Sequence, residues 1–165
     1  MAIQLFDENN MRQLPDTERF RICAEILKTE SDESKRWDAV WLVGELAEDP
    51  DNKNGLRDKV GDMLEWTLRN DLNGVVKHEA SFQIAARNLR NKIHVLTDIA
   101  LNDNSVLSKH EAIEALGLMR AFEAEDLIKK ALDDPSIDVQ ETANFVLKRF
   151  ARLRNQGEYK PSAIL

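Results

Sequence analysis

The chain has 165 residues, 42% hydrophobic and 32% charged, a balance typical of a soluble globular protein with a buried core. Its net charge of −7 argues against a nucleic-acid-binding protein, which normally has a basic face, and suits a basic partner. The single cysteine, Cys23, cannot form an internal disulfide and is expected to pack inside a helix core. Six glycines and four prolines are few for this length, which favours helices throughout.

The two ends differ from the rest of the chain. Residues 1–14 are polar and lack a helical period, so an irregular N-terminal arm or cap is expected. This segment lacks the pattern of a signal peptide, and no apolar run approaches the roughly 18 residues that a membrane span needs. A cytoplasmic location is therefore the default expectation. Residues 154–165, with Gly157 and Pro161, are expected to form a flexible tail.

Residues 15–153 contain amphipathic segments that occur in pairs. The first members span about residues 16–28, 56–72, 91–101 and 124–132. Each is followed by a helix built around a small residue, with an apolar residue four positions later on the same face. These small residues are Ala39, Ala80, Ala112 and Thr142. The pattern predicts an all-α fold, a right-handed α-solenoid of about four HEAT-like helix pairs.

A short phrase, Lys-His-Glu-Ala, occurs twice in the chain. It places His78 and Glu79 in the second repeat, and His110 and Glu111 at the same position of the third. Neighbouring helices of a solenoid pack about 8–10 Å apart, and a metal adds about 2 Å to the reach of an imidazole. The two histidines can therefore reach one metal ion placed between them.

Two imidazoles and two carboxylates form a ligand set that suits a transition metal. Two histidines and one carboxylate with open positions are typical of non-haem Fe(II) oxygenases, so iron is the first expectation. Manganese and zinc remain alternatives for the same donors.

The alternative is that duplication of a repeat copied an ordinary surface dipeptide. The matching pairs in the first and fourth repeats are Trp37-Asp38 and Gln140-Glu141. An acidic residue thus occurs in all four repeats, whereas histidine occurs only in the central two. Duplication alone does not predict that histidine is restricted to the central repeats. A site in the middle of a concave surface does predict this restriction.

At these residues the chain resembles deoxyhypusine hydroxylase, a family of HEAT-repeat di-iron enzymes. The stretch Val75–Met119 is similar to the family pattern, in particular over Lys109–Gly117, and Asp134–Thr142 resembles the family's fourth repeat. Members of that family have two halves of four helix pairs, each with two His-Glu motifs. The present chain is similar to one such half, over roughly residues 15–153.

The resemblance implies a homodimer that restores the missing half by joining two concave faces. One iron would take His78 and His110 of one subunit and Glu79 of its partner, which gives a di-iron centre across the dimer. Glu111 would be a candidate to hold the amine of the substrate, because a carboxylate pairs with a cation. The implied reaction is O₂-dependent hydroxylation of a lysine-derived amine side chain, on a basic protein or amine substrate. Glu79 and Glu111 are accordingly the candidate catalytic residues.

Three other functions stay open at this point. A non-catalytic HEAT scaffold would bind a protein through its concave face and carry no metal. A metal- or oxygen-binding protein without turnover would hold iron but yield no hydroxylated product. A HEAT-like DNA glycosylase could stack bases on Trp37, Trp41 and Trp66, but the acidic charge opposes it.

Overall fold

The computed structural model describes residues 7–156, and within that range the chain forms nine α-helices and no β-strand. The helices are α1 (Glu8–Arg12), α2 (Asp16–Thr29), α3 (Glu33–Gly44), α4 (Arg57–Asn70), α5 (Gly74–Ala86), α6 (Ile93–Asn102), α7 (Val106–Leu118), α8 (Glu125–Lys130) and α9 (Ile137–Leu153). The all-α prediction is confirmed, and helices α2 to α9 are the four predicted pairs. Among residues 7–156, no helix combines the length and the apolar character that crossing a bilayer requires.

The chain divides into two compact units, Met1–Ala80 and Ser81–Leu165. Helix α5 contains the point of division, so the first His-Glu pair belongs to the first unit and the second pair to the second unit. The domain bounds predicted from the sequence, 1–14, 15–153 and 154–165, stay predictions. The tail is described only as far as Gln156, and residues 157–165 lie outside the described part.

In the first unit, α2 packs on α3 through an apolar stripe. The buried members of this stripe are Cys23, Ile26, Leu27, Val40, Leu42 and Val43. Cys23 is fully buried, and burial raises the pKa of its thiol to about 12. Cys23 is therefore a packed core residue, as the sequence predicted.

Residues 8–12, within the segment expected to form an irregular N-terminal arm or cap, form the short helix α1. Asp7 caps this helix, because its carboxylate accepts a hydrogen bond from the Asn9 backbone N–H at 2.9 Å. Met11 is buried, and Arg12 binds Glu45 at 2.7 Å. One cap, one apolar contact and one ion pair thus hold a turn of helix that is too short to show a period in the sequence.

An ion pair fixes the start of α3 in the first unit. Arg36 donates to the carboxylate of Asp71 through Nε at 2.7 Å and Nη2 at 3.1 Å. Asp71 also accepts from the Asn73 backbone N–H at 2.8 Å. The Asp71 side chain is 2% exposed, so this is a buried, bidentate pair.

In the second unit, α6 packs on α7, and α7 packs on α9. The core includes Leu96, Ile113, Leu116, Ile128, Val146 and Phe150. Gly117 allows the close approach of α7 and α9, because a Cβ at this position would lie 2.9 Å from Cγ2 of Val146. The small size of Gly117 is thus required by packing.

The second unit also shows how a helix ends without glycine. After α7 the backbone of Arg120 has a φ of 51°, in the left-handed region. Two hydrogen bonds close the cap, from Ala121 N–H to the Leu116 carbonyl at 3.0 Å and from Arg120 N–H to the Gly117 carbonyl at 3.2 Å. This Schellman pattern stops α7 and turns the chain toward α8.

Candidate metal centre

The first His-Glu pair lies on α5, in the first unit. Asn73 caps this helix, because its side-chain oxygen accepts from the backbone N–H groups of Val75 at 2.9 Å and Val76 at 3.1 Å. One turn further on, His78 is half-buried and Glu79 is buried, with 6% of its surface exposed. Burial of a carboxylate is costly without a partner, so the position suits a cation ligand or an ion pair.

The second pair lies on α7, in the second unit. Ser105 caps α7, because its hydroxyl oxygen accepts from the Ser108 backbone N–H at 3.2 Å. The side chain of His110 is 34% exposed, whereas Glu111 is buried at 6%. The repeat therefore gives the two pairs the same arrangement, a half-buried imidazole beside a buried carboxylate.

Lys109, which precedes His110, anchors the start of α7. Its Nζ lies 2.6 Å from the carboxylate of Asp134, which also accepts from the Ser136 backbone N–H at 2.9 Å. Burial alone would raise the pKa of Asp134, but the hydrogen bonds from Lys109 and Ser136 lower it below its usual value. The ion pair holds the backbone from which His110 projects.

His110 and Glu111 come together with a third residue, Glu114. One ligand atom from each of the three lies within 4.8 Å of the others, and His110 Nε2 is 3.5 Å from Glu114 Oε1. Ligand atoms at about 2.0–2.2 Å from one metal are at most about 4.4 Å apart. The cluster therefore needs only a small side-chain adjustment to hold an ion, and one imidazole with two carboxylates suits a metal such as iron.

The other ring nitrogen of His110 has its own partner on α9. His110 Nδ1 lies 2.7 Å from the hydroxyl oxygen of Thr142, and that oxygen lies 2.7 Å from the backbone carbonyl of Asp138. Thr142 is buried at 7%. The imidazole is thus held on one side by α9 and faces Glu114 on the other.

Two open grooves of the second unit meet this cluster. One has a volume of about 320 Å³ and is lined by Glu111 and Glu114 together with Phe82, Phe145 and Arg149. The other has a volume of about 500 Å³ and is lined by Val106, Leu107, His110, Asp138, Glu141 and Thr142. Both combine carboxylates with apolar walls, which suits a cationic group carried on an aliphatic chain.

The sequence prediction named His110 and Glu111 but missed Glu114 and Thr142. Glu114 lies four residues after His110 on the same face of α7, a spacing that the sequence already contained. Thr142 stands where the other repeats have alanine, and this departure was interpreted only as a small packing residue. His94, the third histidine of the chain, is exposed.

In the first repeat, Trp37 stands at the position that His110 occupies in the third. Trp37 stacks on Trp41 with their ring centroids 6.4 Å apart. Burial raises the pKa of the neighbouring Asp38, and the negative charges of Glu8 and Asp32 raise it further. No imidazole is present at this position, so the difference predicted between the first repeat and the third extends to the side-chain contacts.

No family model matches the chain. Among curated proteins, deoxyhypusine hydroxylase of Danio rerio is 33% identical over 89 residues, which are 53% of this chain and 29% of that protein. Deoxyhypusine hydroxylase of Arabidopsis thaliana is 34% identical over 88 residues, 52% of this chain and 28% of that protein. The Bos taurus enzyme is 29% identical over 97 residues, 57% of this chain and 32% of that protein. The resemblance stated from the sequence is thereby confirmed.

Among solved structures, human deoxyhypusine hydroxylase in complex with glycerol aligns with a TM-score of 0.52 at 23% identity. The match covers 75% of this chain and 47% of that one. A designed armadillo repeat protein aligns with a TM-score of 0.54 at 19% identity, over 86% of this chain and 68% of that one. These likenesses confirm the all-α solenoid class. The chain spans less than a third of its curated relatives and about half of the human structure.

Proposed function

We propose that this chain is a non-haem di-iron hydroxylase of the deoxyhypusine hydroxylase type, assembled as a homodimer. Its substrate would be a lysine-derived amine side chain on a basic protein, and its location cytoplasmic. The observation that carries the proposal is the cluster of His110, Glu111 and Glu114 in a chain whose relatives bear that enzyme's name.

The dimer is part of the proposal because it would complete the set of metal ligands. Among residues 7–156, the cluster of His110, Glu111 and Glu114 contains a single imidazole. A mononuclear non-haem iron site usually has two histidines and a carboxylate. We propose that His78 and His110 share one metal. Glu79 of a second copy would supply the carboxylate, in a homodimer that joins the two concave faces.

Each residue of the cluster has a distinct role in the proposal. His110 would bind the metal through Nε2, and Glu114 would supply a carboxylate beside it. Glu111, which is buried and lines the groove with Phe82 and Phe145, would orient the ammonium group of the substrate. The net charge of −7 would favour approach of a basic protein.

Bound iron would supply the activation of O₂ that hydroxylation of a C–H bond requires. In the balanced reaction, one oxygen atom enters the C–H bond as a hydroxyl and the other leaves as water. The two electrons and two protons come from an external reductant and solvent. The residues of the chain bind the amine, orient it and hold the metal.

The experiment is metal analysis of the purified protein together with its mass in solution. The proposal expects about one iron per chain in a dimer, and loss of iron in His78→Ala and His110→Ala. His94→Ala is the matched control, because His94 is exposed and lies outside the cluster. A protein that binds no iron after anaerobic reconstitution, with all three variants unchanged, would disprove the proposal.

A second candidate function is a repeat scaffold that binds a protein and carries no metal. It is favoured by the likeness to a designed armadillo repeat protein, and by the exposed apolar side chains of Val106 and Leu107 beside His110. Metal content separates the two candidates. A protein that binds iron but gives no hydroxylated product, with a deoxyhypusine-containing protein and a reductant present, would instead be a metal or oxygen binder.

A further inference from the structure

Thr142 occupies an unusual place between two polar groups of the second unit. It lies on α9, is 7% exposed, and its hydroxyl oxygen is 2.7 Å from both His110 Nδ1 and the Asp138 carbonyl oxygen. The corresponding residue of the other three repeats is alanine. A buried hydroxyl on a helix that bonds back to the preceding turn is slightly unfavourable for the helix, so packing alone does not favour threonine here.

A count of protons assigns the direction of these two hydrogen bonds. The Thr142 hydroxyl has one hydrogen, and the Asp138 carbonyl can only accept. If the hydroxyl donated to His110, two acceptor oxygens would face each other at 2.7 Å with no proton between them. The hydroxyl therefore donates to Asp138, and it accepts a hydrogen bond from the Nδ1–H of His110.

We infer that Thr142 is a positioning residue that fixes the tautomer of His110, so that Nε2 is the nitrogen offered to a cation. The hydrogen bond made by one ring nitrogen decides which nitrogen is free to bind a metal. With Nδ1 protonated, Nε2 of the neutral ring has a lone pair directed to the side of Glu114, 3.5 Å away. Two acceptors at this distance are stabilised by a cation between them.

The inference rests on the proposed function only for the identity of that cation. The tautomer is a property of the metal-free protein and can be measured without iron or substrate. A buried hydroxyl that served packing alone would not alter the tautomer of a neighbouring imidazole, so the tautomer separates a positioning role from a structural one.

The first experiment is nitrogen-15 NMR of the three histidine rings in metal-free protein, at a pH above about 8 where an ordinary imidazole is neutral. The signals of His110 are identified by their loss in His110→Gln. Wild type and Thr142→Ser, which keeps the hydroxyl, are expected to show Nδ1–H. Thr142→Val, which keeps the shape but loses the hydroxyl, is expected to shift His110 toward Nε2–H.

Wild-type His110 in the Nε2–H form, or Thr142→Val in an unchanged Nδ1–H form, would overturn the inference. Circular dichroism and the unchanged signals of His94 verify that each variant is folded. If Thr142→Val does not fold, Thr142→Ala replaces it, because alanine is the natural residue of the other repeats at this position.

The second experiment measures the dissociation constant for ferrous iron under anaerobic conditions. Thr142→Val is expected to bind about 10–100-fold more weakly than wild type, the usual cost of removing a partner of a metal-binding histidine, and Thr142→Ser to stay within about threefold. Equal affinity in Thr142→Val would overturn the inference. A wild type that shows the expected tautomers but binds no iron would refute the proposed function and leave the positioning role intact.

Discussion

Helices α3 and α7 begin in the same way, although they belong to different units. In α3, Arg36 precedes Trp37 and forms an ion pair with Asp71. In α7, Lys109 precedes His110 and forms an ion pair with Asp134. The Arg36–Asp71 contact is 2.7 Å and the Lys109–Asp134 contact is 2.6 Å. Both aspartates also cap the turn that follows them. The ion pair is therefore common to a helix with a histidine and one without.

The two helices differ at the next position and one turn later. In α3, Trp37 stacks on Trp41, whereas in α7, His110 faces Glu114 across 3.5 Å. The same helical face thus holds an aromatic pair in one unit and an imidazole with a carboxylate in the other. The comparison indicates that the scaffold is set by the charged residues around the helix start, and the chemistry by the i and i+4 positions that follow.

The largest expected effect is on stability, when the ion pair of Arg36 and Asp71 is removed. Asp71→Ala should lower the free energy of unfolding by about 3 kcal/mol, because it leaves the mostly buried Arg36 without its carboxylate. Thermal or urea unfolding measures the change. Asp126→Ala is the control, since Asp126 is 94% exposed and its surface pair with Lys129 should contribute less than about 1 kcal/mol. Equal losses in the two variants would show that the Arg36 pair is not a structural element of the repeat.

A smaller effect is expected where the two helices differ. Glu114→Gln should weaken ferrous iron binding by about tenfold, because it replaces a charged carboxylate beside His110 with a neutral amide. Calorimetric titration under anaerobic conditions measures it. Glu123→Gln is the matched control, because the Glu123 side chain is 55% exposed and lies outside the cluster and both grooves. An unchanged affinity in Glu114→Gln would make the cluster a coincidence of helix spacing.

The next effect is on stability, when the close packing of Gly117 at the end of α7 is changed. Gly117→Ala should lower the free energy of unfolding by about 1 kcal/mol, because the gain in helix propensity is outweighed by overpacking against Val146. Differential scanning calorimetry measures it. In the double variant Gly117→Ala with Val146→Ala, the loss should be less than the sum of the two single losses. Additive losses would indicate that the two side chains do not meet.

The smallest effect concerns Asp38, the counterpart in α3 of Glu111. Its pKa is raised in the folded protein, by burial first and then by Glu8 and Asp32, so the folded state binds the proton more tightly than the unfolded chain does. Ionised Asp38 therefore costs stability at neutral pH, and this cost disappears below the ordinary pKa of about 3.9.

Asp38→Asn should accordingly stabilise the protein at pH 7 by up to about 0.5 kcal/mol, and the gain should vanish as the pH falls below about 4. Unfolding curves over this pH range measure it. A gain that is independent of pH would assign the effect to packing and not to charge.

Much of this fold could be predicted because small and apolar residues recur at the same positions of each repeat. The small residues Ala39, Ala80, Ala112 and Thr142 located the second helix of each pair, and the structure has helices at all four places. Helix α1 was missed because five residues give no period. The burial of Met11 and the ion pair of Arg12 with Glu45 depend on contacts that only folding creates.

The candidate site was predictable where two copies could be compared, and less so elsewhere. His110 and Glu111 were found because the same phrase occurs at His78. Glu114 has no counterpart there, since Phe82 stands four residues after His78. Thr142 could not be assigned a role, because its contact with His110 joins two helices that are far apart in sequence.

The buried thiol of Cys23 has a practical consequence for the kinetics of the first unit. A thiol reagent attacks the thiolate, and Cys23 is neither accessible nor ionised while its helix pair is closed. Because the chain has one cysteine, every modification event reports an opening that exposes the buried face of α2. The rate of labelling at increasing reagent concentration therefore gives the rate and the free energy of the opening that exposes Cys23.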